Sequence, residues 1–62
     1  MIVNKGDVRY KIIKLRRPKP LGAYLVQFKI LNVPMYGYRD AFYAATQEVA
    51  ILQIDSRHAS GS

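Results

Sequence analysis

Two alternating runs separated by a proline-bearing segment constrain this chain more than any other feature. From Val8 to Leu15, Tyr10 and Ile12 fall on one side of an extended strand and Arg9, Lys11 and Ile13 on the other. From Ala23 to Leu31, Tyr24, Val26, Phe28 and Ile30 form an apolar row, with Gln27 and Lys29 opposite beside Leu25 and Leu31. The segment between them, Arg16-Arg17-Pro18-Lys19-Pro20-Leu21-Gly22, holds two prolines and a glycine, so it is expected to turn. The pattern predicts an antiparallel hairpin with a bulky face toward a core and a polar face toward solvent or ligand.

Beyond Asn32 the pattern loosens. Val33 to Tyr38 mixes strand formers with Pro34 and Gly37, which reads as a short third edge strand or an ordered loop. From Asp40, a good N-cap, no Gly or Pro intervenes until Gly61. Phe42, Ala45, Val49 and Leu52 share a helical stripe with Ala41 beside it, predicting a helix from Asp40 to about Asp55. A competing reading ends the helix near Gln47 and makes Val49 to Ile54 a strand, giving a ββαβ order. The expected fold is α+β: a small antiparallel sheet packed on one C-terminal helix. It forms one domain over residues 1–57, followed by a flexible tail over 58–62.

Sixty-two residues bury only ~60% of the surface that the unfolded chain exposes, so the core is thin. The chain has no Cys and therefore no disulfide to support that core, a usage that suits a reducing cytoplasm. A second helical strip, Tyr43, Ala50, Ile51 and Ile54, exceeds what a two-stranded hairpin would cover. It is expected to form a homodimer seam or a docking surface. No apolar run approaches the ~20 residues that cross a bilayer, and the first residues lack the apolar core of a signal peptide. The expectation is a cytoplasmic protein with no membrane partner.

Chemistry is narrowed by elimination. His58 is the lone histidine, with Asp55 the one carboxylate near it along the chain, so no metal site is expected. Thr46, Ser56 and Ser60 lie in no nucleophile elbow, and the four glycines form neither a phosphate loop nor a dinucleotide fingerprint. Asp40, Glu48 and Asp55 are more simply a cap, a solvated helix residue and an ion-pair partner than a catalytic pair. No enzyme, catalytic residue or cofactor is expected.

Charge is the feature with a use. Residues 1–31 carry eight bases against one acid, net +7, whereas residues 32–62 carry two bases against three acids, net −1. That asymmetry favours a polyanionic partner. Arg16, Arg17 and Lys19 would stand on a proline-stiffened tip, with Lys14 nearby. Arg9, Lys11, Gln27 and Lys29 would line a two-stranded ribbon that meets phosphates and, through Gln27, a base edge. Tyr36, Tyr38 and Arg39 add rings among cations that suit stacking on bases, although tyrosines also supply ordinary core bulk. Exposed strand cations also serve solubility and block edge pairing, the plainer explanation of the same residues.

The sheet-plus-helix layout over roughly residues 8–52 is similar to the small DNA-binding domains at the start of some phage integrases and in AP2-type factors. The chain lacks their Trp and Gly-rich turn, so no residue role is transferred. The expected function is nucleic-acid binding or transcription regulation, with DNA favoured over RNA. The alternative is an inhibitor or adaptor of phage type whose basic hairpin docks on an acidic protein surface, such as that of RNA polymerase.

Overall fold

The two alternating runs pair as their patterns require. In the computed structural model, which describes residues 1–60, strand β2 (Val8–Lys19) runs antiparallel to β3 (Gly22–Ile30). The register sets Tyr10 opposite Phe28 and Ile12 opposite Val26, joining the two apolar rows. On the other face it sets Arg9 opposite Lys29 and Lys11 opposite Gln27. Two outer strands complete an antiparallel sheet in the order β1-β2-β3-β4: β1 (Ile2–Lys5) beside β2, and β4 (Arg39–Ala44) beside β3. Helix α1 (Gln47–Ser60) packs on one face, so the chain is an α+β fold with one C-terminal helix.

Strand β1 was not visible in the sequence because four residues, Ile-Val-Asn-Lys, are too few to display a period. Gly6, at φ 59°, makes the left-handed turn that folds β1 back on β2, a conformation glycine adopts without steric cost. The Ile12 amide donates to the Met1 carbonyl (2.9 Å) and the Met1 amino group to the Ile12 carbonyl (3.2 Å), extending the ladder by one pair.

The expected turn over Arg16 to Gly22 is smaller than its composition suggested. Pairing resumes at Lys19 opposite Gly22, leaving only Pro20 and Leu21 in the reversal and Arg16 to Lys19 inside β2. Between Lys14 and Lys19 the register slips: β2 advances five residues while β3 advances two. Prolines are accepted at such an irregularity, and β1 ends beside Ile12, so the far half of β2 has a free outer edge. Gly22 has φ 146°, and a Cβ there would overlap the Ala44 carbonyl, so glycine is required by both conformation and space.

The helix begins later than expected. Asp40 is not its cap but a residue of β4, opposite Gln27. Pairing with β3 overrides the helical pattern read there, because Phe42 opposite Val26 and Ala44 opposite Tyr24 extend the core row across a third strand. Thr46 is the cap: its Oγ1 accepts the Val49 amide at 3.1 Å and its carbonyl accepts the Ala50 amide at 3.1 Å. The inward side of α1 therefore carries Ala50 and Ile54, both fully buried, while Leu52 of the expected inward stripe is 66% exposed. The strand alternative for Val49 to Ile54 is excluded by the same helix. Residues 31–38 form a loop, not a third strand.

The core consists of Tyr10, Ile12, Val26, Ala44, Ala50 and Ile54, flanked by Val3, Val8, Tyr24, Phe28, Phe42 and Ile51. The strip expected to seek a dimer partner is thus largely consumed internally: Ala50 and Ile54 are closed off and Ile51 packs beside them. Each large side chain fully buried, such as Ile54 or Val26, contributes about 1.5–3 kcal/mol. Lys5 Nζ and Asp55 Oδ1, 2.6 Å apart and partly exposed, tie β1 to α1 for at most about 1 kcal/mol. Residues expected to begin a flexible tail continue α1, and His58 is half-buried with its Nε2 2.9 Å from the Tyr10 hydroxyl. Gly61 and Ser62 lie outside the described residues.

Candidate nucleic-acid interface

Because α1 occupies one face of the sheet, the alternation of the strands delivers the other residues to the opposite, open face. Three cross-strand rows follow from the register. Arg9 and Lys29 form the first; Lys11 and Gln27 the second, with Asp40 beyond them on β4; Ile13, Leu25 and Tyr43, all half-buried, form the third. The irregular stretch of β2 then leads to the hairpin end, where Arg16, Arg17 and Lys19 are exposed.

Tyr38, the last loop residue before β4, joins the first two rows. Its ring centroid is 5.4 Å from the Lys11 ammonium and 5.8 Å from the Lys29 ammonium. A ring quadrupole attracts both charges, about 0.5–1 kcal/mol each at exposed sites, and so holds two like charges near one aromatic ring. Lateral bonds steady the rest of the face: Arg9 Nε donates to Asn4 Oδ1 (3.1 Å), and Gln27 Nε2 donates to Asp40 Oδ1 (2.9 Å). The second of these occupies one N–H of the Gln27 amide, the group expected to read a base edge.

The eleven residues singled out from sequence therefore separate into three groups. Arg9, Lys11, Gln27, Lys29 and Tyr38 gather on the open face. Arg16, Arg17 and Lys19 stand at the hairpin end, and both Lys14, paired opposite Tyr24, and Lys19, paired opposite Gly22, share the parity of the core row rather than that of Lys11. Tyr36 and Arg39 form a separate stack at the sheet rim, the guanidinium 4.4 Å from the ring and the ring 6.2 Å from Phe28. Tyr36 and Tyr38 are thus not one platform, although only Gly37 separates them in sequence.

Other residues here were not anticipated. Arg57 stacks on Phe42 at 4.5 Å, and with Tyr10, Phe28, Asp40 and Ala41 it lines a groove of about 330 Å³ beside α1. Ala41 is the extra residue where Val26 faces Phe42 but Gln27 faces Asp40, a bulge invisible in a short run without Gly. The Ile13–Leu25–Tyr43 row was legible in part, since the odd positions of both strands were assigned outward. Its third member was lost with the misplaced helix.

Charge follows the same division. The open face gathers Lys11 and Lys29 around Tyr38 and Arg9 beside Lys29, with Asp40 bound to Gln27 at its edge. Helix α1 carries Glu48 and Asp55 against Arg57. Among the described residues no cluster of His, Cys, Asp or Glu has the arrangement of a metal site, and no helix is long and apolar enough to cross a membrane. No protein-family model, curated protein or solved structure matches the chain.

Proposed function

We propose that the protein is a nucleic-acid-binding module of the cytoplasm that contacts phosphates through the open face of its sheet and its cationic hairpin end. The observation that carries this reading is the grouping of Lys11 and Lys29 around the Tyr38 ring. Cations held by packing lose less freedom on binding than cations on a mobile tail, and the ring beside them supplies a π-system on which a base can stack while the ammoniums meet phosphates. The net charge of +6, concentrated in the first three strands, supplies long-range attraction to a polyanion.

The competing partner is an acidic protein surface, which the same cations would meet without needing the ring. Fluorescence anisotropy with a labelled oligonucleotide, competed by unlabelled oligonucleotide or by polyglutamate of equal charge, tests the reading. Nucleic acid should compete far better than polyglutamate, and Lys11→Glu with Lys29→Glu should abolish binding in a folded protein. Equal competition by polyglutamate, or full binding by the double variant, would refute the proposal.

A further inference from the structure

Resting on the nucleic-acid reading, we infer that the ligand is single-stranded: the open face is a platform on which unpaired bases stack, not a probe that enters a duplex groove. Three observations carry this. The first is width. Strands lie about 4.8 Å apart, so the four that cross the Lys11–Gln27 row span about 14 Å before side chains are added, wider than the roughly 12 Å major groove; only the hairpin end beyond Tyr24, where two strands remain, is narrow enough to enter it. The helix offers no substitute reader, because its outward residues include Glu48, Leu52 and Gln53, which do not suit a phosphate-lined groove.

The second observation is the order of the rows. The half-buried Ile13–Leu25–Tyr43 row lies on the open face directly beside the Lys11/Lys29/Tyr38 group, whereas Lys19, opposite Gly22, has the parity of the core row. A duplex presents its bases edge-on and its phosphates outward, leaving such an apolar row uncovered. An unpaired strand covers it with base faces while its phosphates reach Lys11, Lys29 and Arg9 beside it.

The third is spacing. Successive rows on one face repeat every two residues, about 6.7 Å, twice the roughly 3.4 Å rise per base along one strand of a stacked duplex. A stretched, unstacked strand can take that longer step. Tyr38 and Tyr43 are then the stacking rings, Leu25 and Ile13 the apolar floor, and Lys11, Lys29 and Arg9 the phosphate contacts.

The test compares one labelled, unstructured oligonucleotide with its own duplex. The single strand should bind at least about tenfold more tightly; Tyr38→Leu should weaken it by about tenfold, and Tyr38→Phe, which keeps the π-face, should bind like the parent. The chain has no Trp, so Tyr38→Trp supplies a unique reporter whose fluorescence should be quenched by the single strand. Thermal melts of each variant separate weakened binding from failed folding. Duplex binding as tight as single-strand binding, or a folded Tyr38→Leu protein of unchanged affinity, overturns the platform and leaves the nucleic-acid reading standing. Absence of binding to both forms in low salt overturns the two together.

Discussion

The Tyr10 hydroxyl meets His58 Nε2 at 2.9 Å, with the two rings edge to face at 5.5 Å and 87°, joining the start of β2 to the last turn of α1 across 48 residues. Tyr10 is 8% exposed and His58 half-buried, so the bond is partly sheltered from solvent. Tyr10→Phe should therefore cost about 0.5–1.5 kcal/mol. In a domain this size each 1 kcal/mol lowers Tm by about 4–8 °C, which a circular dichroism melt resolves. An unchanged Tm would mean that the bond contributes nothing to stability.

Thr46→Ala should destabilise by about 0.5–2 kcal/mol, since Thr46 Oγ1 is the acceptor for the Val49 amide at the start of α1. Asp40→Ala, which would be the damaging change if the helix began there, should instead affect only the bond to Gln27 at the edge of the sheet. Chemical denaturation of the two variants ranks them directly.

Gly22→Ala should destabilise more than Gly6→Ala. Both positions have positive φ, which costs a side chain about 1–2 kcal/mol. Only at Gly22 would the added carbon also overlap backbone, that of Ala44, whereas at Gly6 it would meet nothing. Equal losses in the two variants would contradict the close approach of β3 to the end of β4.

What could be read from the sequence followed from how much period each element displays. Strands β2 and β3 are long enough to show alternation, so their pairing faces, Tyr10 and Ile12 with Val26 and Phe28, were legible. Arg39 to Ala44 was not, because its bulge at Ala41 breaks the period of two and its Ala-rich composition fits a helix. A helix starting at Asp40 turns its stripe outward, so Ile51 and Ile54 looked unpartnered when the extra strands supply their cover. The candidate site was legible wherever it lies on β2 and β3. The position of Tyr38 over Lys11 and Lys29 depends on the path of the 31–38 loop, where Met35 takes a positive φ of 62° that no local signal announces.

Ile54 distinguishes core from interface. It is fully buried in the single chain, so Ile54→Ala should cost about 2–5 kcal/mol of stability. Sedimentation of the parent protein should not depend on this residue as a contact between copies. A folded Ile54→Glu protein of undiminished Tm would contradict the packing described.

Arg16→Glu with Arg17→Glu should leave stability within about ±0.5 kcal/mol per site, because both residues are exposed at the hairpin end. Binding should weaken for every nucleic-acid sequence, with the salt slope reduced by about one for each phosphate no longer neutralised. Parallel melts and titrations separate these effects, and an unfolded double variant would show the hairpin end to be structural.

The most direct test of the central claim is the affinity for an oligonucleotide measured across a salt series. About five to seven phosphate contacts predict a straight line of log affinity against log salt with a slope of roughly −3.5 to −6, depending on whether the ligand is single-stranded or duplex. Absence of binding at micromolar protein in low salt, or an affinity that does not change with salt, would contradict the account.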